Sequence, residues 1–331
     1  MTEQIKHINL ETEQLSVGYM SSKDINAVLE NISIKAHAGE LICFMGPNGV
    51  GKSTLLRTLC NLQKPLSGNI IIDGKILQTI GANEMAQAIS LVLTDSINAG
   101  NLTAYELVAL GRYPYLGWNL NVNDNDQQKI DLAIAQTGCE SYINKKVYEL
   151  SDGQLQKVMI ARALAQDTPI LILDEPTAHL DLNNRVAIVN LLKKLARDEN
   201  KTIIMATHEL DLALQTADKL WLAGHKRPII EGMPEDLVLN GSIDSVFKLK
   251  GYDLKTGTLE KESLGHKVSL NGSGHTYLWT KNALERNGYE IEPNALINIT
   301  IDEKNNTWKI NKGVISHTLE DLINQLNQTI F

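Results

Sequence analysis

Gly46-Pro47-Asn48-Gly49-Val50-Gly51-Lys52-Ser53 is the stretch from which the fold of this chain can be read. It follows the apolar run Leu41-Ile42-Cys43-Phe44-Met45 and opens a segment carrying Leu55, Leu56, Leu59 and Leu62 on one side of a helix. The order is therefore strand, glycine loop, helix. Glycines let backbone N–H groups curl around a polyphosphate, and the start of a helix adds positive partial charge. Lys52 is placed to neutralise the outer phosphates, and the Ser53 hydroxyl suits magnesium. A Gly-rich turn with an exposed lysine is the plainer reading, but it leaves the flanking strand and helix unexplained.

Outward from the loop, residues 89–93, 170–173 and 202–206 are further short apolar runs separated by helical patterns. Continuously apolar strands with helices between them predict a parallel sheet covered on both faces. Residues 67–75 place Asp73-Gly74 between two strand-like runs, a hairpin signal that adds an antiparallel layer. Residues 124–167 read as helical, including a helix capped by Ser151. The fold class is α/β, with a P-loop nucleotide-binding core.

The strand at 170–173 ends in Asp174-Glu175. Successive strand residues face opposite ways, so the two carboxylates take different tasks. Asp174 is the magnesium partner, and Glu175 is free to orient or deprotonate an attacking water. His208 follows the strand at 202–206, again at a carboxyl end, where ligands of open α/β sheets gather. Leu150-Ser151-Asp152-Gly153-Gln154 is by itself a helix cap, but it gives the chain a second helix start suited to phosphate.

Composition narrows the classes. The 331 residues hold 31 Lys plus Arg against 39 Asp plus Glu, a net charge of −8, which argues against a nucleic-acid partner. No run approaches the ~20 apolar residues that span a bilayer, and the N-terminus lacks a secretory pattern. The expectation is a soluble intracellular chain of two domains. Cys43, Cys60 and Cys139 are widely spaced and form no Cys-x-x-Cys pair, so they read as small buried hydrophobes.

Taken in order, these motifs resemble the ATP-binding cassette family over residues 10–240. Tyr19 resembles the aromatic that stacks on adenine, and Gly46, Pro47, Asn48, Gly49, Gly51, Lys52, Ser53 and Thr54 the Walker A loop. Ser151, Gly153 and Gln154 lie in a counterpart of the LSGGQ motif, Asp174 and Glu175 are similar to the Walker B pair, Asp181 ends a D-loop, and His208 resembles the switch histidine. The resemblance implies a mixed sheet core, an antiparallel layer and a helical subdomain at about 95–167. It also implies ATP and Mg²⁺ as cofactors and a head-to-tail homodimer with ATP between Lys52 of one chain and Ser151 of the other. The implied location is the cytoplasmic face of the cell membrane, peripheral, beside separate permease subunits and, indirectly, a substrate-binding protein.

Residues 106–117, which include Gly111-Arg112-Tyr113-Pro114-Tyr115, resemble the cassette subunits that drive import of ferric siderophores, haem and cobalamin. An amphipathic helix ending at Gly111 before a Pro turn is the structural alternative. A soluble ATP switch and an exporter subunit are the competing functions. Two positions depart from the family. Thr94, followed by Asp95, stands where relatives carry a coupling-loop Gln that approaches magnesium, and Asp152 replaces a Gly of LSGGQ. Asp152 is expected to point away from phosphate while the Ser151 hydroxyl and the Gly153 N–H make contact.

The character of the sequence changes near Gly251, giving domains at 1–250 and 251–331. The second carries eight Lys or Arg against ten Asp or Glu and reads as a small α+β unit. Expected are strands near Val268, Tyr277, 297–301 and 307–310, a helix at 281–287 closed by Gly288, and a helix after Thr318 with Leu319, Leu322, Ile323 and Leu326 on one face. Trp279 and Trp308 are expected to pack in its core. A regulatory or dimer-stabilising role follows only from its position after the cassette.

Overall fold

A computed structural model describes residues 7–20, 24–93, 100–117, 121–225, 227–254, 258–259, 265–311 and 313–330. The chain divides into two compact units, Met1–Lys248 and Leu249–Phe331.

The first unit is built on a six-stranded sheet in the order Ile230–Gly232, Lys219–Leu222, Leu41–Met45, Thr202–Ala206, Ile170–Asp174, Ile89–Val92. Only the Ile230–Gly232 edge is antiparallel to its neighbour. The strands Leu41–Met45, Thr202–Ala206 and Ile170–Asp174 are buried at every position, the burial that unbroken apolar runs require. A second, antiparallel sheet holds Ile25–Ile32, Ile8–Met20, Ser67–Ile72 and Lys75–Ile76 in that order, with Lys35–His37 also paired to Ile8–Met20. Asp73 at φ 47° and Gly74 at φ 74° form its left-handed hairpin turn.

The main core lies between these sheets. Leu10, Leu15, Ile70 and Ile72 meet Ile42, Phe44 and Ile172, together with Leu55, Leu56 and Leu59 of the phosphate-loop helix Lys52–Leu59. Cys43, one residue on from Ile42, faces the other way toward Lys193 of the helix Leu182–Asp198. Burial pushes its thiol up to about 12, so it stays an inert thiol. Leu62, expected on the phosphate-loop helix, lies beyond it and is exposed. Asn61 turns left-handed at φ 58°, and the Leu62 N–H donates back to the Arg57 carbonyl at 2.9 Å, which closes the helix early.

Between the strands Ile89–Val92 and Ile170–Asp174 lie the helices Ala104–Ala109, Asp124–Thr137 and Asp152–Ala165. The helix expected to run to Gly111 is α-helical only to Ala109 and tightens to a 3-10 segment over Leu110–Tyr115. Gly111 is required there, because a Cβ would stand 2.2 Å from the Arg162 carbonyl oxygen. Arg112 is buried and pairs with Asp126 at 2.9 Å, donates to the Ala165 carbonyl at 2.8 Å and lies 3.9 Å over the Tyr115 ring. The Gly-Arg-Tyr-Pro-Tyr stretch is thus partly a structural clamp between three helices. Among the described residues no helix is long and apolar enough to cross a membrane.

In the second unit five strands run in the order Tyr289–Ile291, His266–Asn271, Ile297–Asp302, Thr307–Ile310, Ile315–Ser316, the first three parallel and the rest antiparallel. Tyr277 belongs to no strand; it sits in the helix Gly274–Arg286, which starts well before Lys281. Tyr277 and Trp279 favour strands by propensity, but burial of Thr280 and Leu284 at helical spacing decides the segment. Trp308 packs in the core with its Nε1 donating to Thr280 Oγ1 at 2.7 Å, whereas Trp279, expected beside it, is 65% exposed. Thr318 caps the helix Leu319–Ile330, which buries Leu322 and Leu326.

Candidate nucleotide site

The site begins where Leu41–Met45 runs into its loop. Gly46 is forced by close approach, since a Cβ there would lie 2.4 Å from the Ala223 carbonyl oxygen. Gly51, at φ 111°, adopts backbone that side chains disfavour, and a Cβ would meet Val28 at 2.4 Å. Asn48 and Gly49 form the exposed tip, with Pro47 half-buried before them. Lys52 is buried and folds back over its own loop, donating from Nζ to the Gly46 carbonyl at 3.0 Å and the Pro47 carbonyl at 3.5 Å. Burial holds its ammonium below the usual lysine range, opposed by the charges of Glu175 and Asp174. Tyr19, 55% exposed, is tied to this helix by a 3.1 Å contact of its hydroxyl with Thr54 Oγ1, which leaves its ring available to a flat base.

The sheet order brings the other groups alongside. Thr202–Ala206 lies between Leu41–Met45 and Ile170–Asp174, and Ala206 is in register with both Phe44 and Asp174. The carboxyl ends therefore gather Lys52, Asp174, Glu175 and His208 at one edge, the place such sheets use for ligands. Asp174 is buried; that burial raises its carboxyl above the usual range, and a hydrogen bond from Ser53 works against the rise. Glu175 sits at φ 48°, a strained conformation for a side-chain residue, with its N–H donating to the Ala206 carbonyl at 3.0 Å. Its Oε2 stands 3.6 Å from His208 Nδ1, beyond hydrogen-bond range.

The second helix start is capped by Ser151. Its hydroxyl accepts from the Gln154 N–H at 3.4 Å while Gln154 Oε1 accepts from the Ser151 N–H at 3.1 Å, a capping box. Ser151 and Asp152 are both exposed. Gly153 is buried because Asn184 packs against it: a Cβ would come within 2.9 Å of Asn184 Nδ2. Asn184 in turn donates to Asp181, which caps the helix Leu182–Asp198. Lys52, Asp174, Glu175 and His208 thus share one sheet edge, while Gly153 and Asp181 are linked through Asn184. Thr94 and Asp95 lie outside the described residues.

Sequence reading overlooked three residues beside these groups: Asn184, Arg185 and Glu209. Glu209 carried a signal, since it directly follows His208. Among the described residues no group of three or more His, Cys, Asp or Glu side chains could hold a metal. A buried carboxylate with a neighbouring hydroxyl, Asp174 with Ser53, is nonetheless the sparse donor set that magnesium uses when phosphate supplies the remaining ligands.

Comparison with known proteins adds the lineage. A family model described as ABC transporter matches residues 29–178, and one described as iron ABC transporter C-terminal domain matches 265–327. An AAA domain model overlaps residues 143–214. An uncharacterized ABC transporter ATP-binding protein of Methanocaldococcus jannaschii is 38% identical over 291 residues, covering 85% of this chain and 98% of that protein. A petrobactin import ATP-binding protein of Bacillus anthracis is 34% identical over 73% of this chain and 87% of its own. A solved ATP-binding cassette, dimeric in a post-hydrolysis state with ADP and Pi, superposes with a TM-score of 0.59 at 29% identity, covering 68% of this chain and 98% of its own. The glycine cradle, the paired carboxylates and these relatives together make this chain a member of the ATP-binding cassette transporter family, among the subunits that hydrolyse ATP.

Proposed function

We propose that this chain energises import of a ferric chelate, working as a homodimer beneath separate permease subunits on the cytoplasmic face of the membrane, with a substrate-binding protein delivering the cargo. The single observation that carries the site reading is the pair of helix starts, one at the glycine loop and one capped by Ser151. Lys52, Asp174, Glu175 and His208 share one sheet edge, while Ser151 caps a helix whose own hydrogen bonds close locally. A triphosphate held by Lys52 of one copy and Ser151 of the other uses both. Support for iron comes from the relative named for petrobactin import and from the C-terminal match, which favour a ferric chelate over cobalamin, export or a soluble switch.

In this reading Tyr19 stacks on adenine, the loop of Gly46, Pro47, Asn48, Gly49 and Gly51 wraps the phosphates, and Thr54 braces Tyr19. Lys52 leaves its own loop carbonyls for phosphate oxygens, exchanging two neutral acceptors for charged ones. Ser53 and Asp174 would hold Mg²⁺, whose charge offsets that of the phosphates when bound; burial raises the Asp174 carboxyl, and a bound cation would favour its ionised form. Glu175 orients the attacking water and takes its proton, and His208 steadies the terminal phosphate. Each terminal phosphate adds contacts available only when the two copies close, so ATP favours closure and hydrolysis releases it. The exposed Tyr113 flanks a cleft of about 800 Å³ lined by Ala82, Asn83, Pro114 and Leu116, which suits a permease segment. The unit after residue 248 then serves regulation or dimer stability.

The test has two parts. Glu175→Gln slows hydrolysis ~10²-fold or more while ATP binding and dimerisation persist; near-normal turnover removes Glu175 from the reaction. In vesicles with the permease and binding protein, ferric siderophore stimulates hydrolysis and cobalamin does not; the reverse order overturns the iron assignment.

A further inference from the structure

Arg185 lies in the first turn of the helix Leu182–Asp198, where a cation opposes the helix dipole. Its side chain is spent on two loops from different strands. Nε donates to the Leu180 carbonyl at 2.6 Å, and NH1 stands 3.3 Å from Glu209 Oε1. The second contact is ionic, since that carboxylate oxygen takes no well-aligned hydrogen bond although Glu209 is only 10% exposed. Glu209 directly follows His208, which faces Glu175. On the other side of the same turn, Asn184 packs on Gly153 and bonds Asp181. One helical turn therefore touches the segment that carries Ser151, the loop that ends at Asp181 and the turn that bears His208.

We propose that Arg185 is a positioning residue that ties the loop ending at Asp181 to the His208 turn, and so fixes where His208 stands beside Glu175. The planar guanidinium reaches both partners in one rigid fork, which a flexible ammonium cannot reproduce fully. Held between the Leu180 carbonyl and the Glu209 carboxylate, the fork sets the path of the turn that carries His208. Lys52 and Tyr19, which hold the nucleotide, have no part in the strap. The inference rests on the roles given above to Glu175 and His208.

Steady-state hydrolysis by the full chain tests it, with Arg185→Gln, Glu209→Gln, the double variant and Arg185→Lys. Each glutamine variant is expected to lower kcat about tenfold while KM for ATP stays within about twofold. The double variant is no slower than either single, and Arg185→Lys recovers part of the loss. Thermal melting, followed in parallel, stays close to that of the parent chain. The strap is overturned if kcat is unchanged in Arg185→Gln, if the two losses multiply in the double variant, or if kcat falls only as far as melting reports unfolded protein. Glu175→Gln separates the two levels: normal turnover there refutes the site reading, whereas an inactive Glu175→Gln beside a normal Arg185→Gln refutes the strap alone.

Discussion

Replacing Arg112 with Met leaves the Asp126 carboxylate, 2% exposed, without its cation in the middle of the helical segment. In the native chain that carboxylate takes the Arg112 Nε and a second guanidinium nitrogen, both at 2.9 Å, and accepts from the Asn123 N–H at 3.2 Å. Only the last contact survives the substitution. Breaking a buried pair from one side costs about 3–5 kcal/mol, a large share of the roughly 5–15 kcal/mol that holds a domain together. Asp126→Asn combined with Arg112→Met removes both charges and keeps the Asn123 cap, so the double variant is expected to recover at least about 2 kcal/mol relative to additive singles. Urea unfolding followed by far-UV dichroism measures all four corners of the cycle. Hydrolysis reports the consequence, because the same helices carry Ser151: Arg112→Met loses turnover while its Lys52 cluster still binds nucleotide. A single-variant cost below about 1 kcal/mol, or strict additivity in the double, refutes the clamp.

Asp174→Asn is expected to raise the melting temperature of the nucleotide-free protein while abolishing magnesium-dependent hydrolysis. Burial raises the native Asp174 pKa, so the folded chain holds this proton more tightly than the unfolded chain. The ionised carboxylate therefore costs stability that appears as pH rises from the ordinary carboxyl value through the raised one, and the advantage of the Asn variant grows over that window; melting curves across it, showing no growth, count against the buried charge. Gly46→Ala places a Cβ 2.4 Å from a backbone carbonyl that has nowhere to go, so it should cost about 1–3 kcal/mol and weaken nucleotide affinity at least about tenfold by equilibrium binding.

The phosphate loop, Asp174-Glu175 and His208 were legible in the sequence because chemistry restricts each position and the flanking strands are unbroken apolar runs. The order of strands that sets them side by side was not legible, because unbroken apolar runs predict a parallel sheet without saying which strand neighbours which. Features that depend on distant partners were not legible. Arg112 and Asp126 meet from two different elements, and Asn184 is recognisable as the neighbour of Gly153 only when the helix starts are placed together. Leu62 fits helical spacing, yet Asn61 takes a left-handed turn first. Around Tyr277 the aromatic residues suggested a strand, and the burial of Thr280 and Leu284 outweighed them. The second unit showed its strands and last helix by alternation and capping, but its kinship with iron transporters has no comparable signature of chemistry.

Crystallising the Glu175→Gln chain with ATP and Mg²⁺ addresses the shared clamp most directly. The expected density has each triphosphate bounded by Lys52 of one copy and Ser151 of the second. Nucleotide enclosed wholly by one copy, with Ser151 of the other facing solvent, contradicts it.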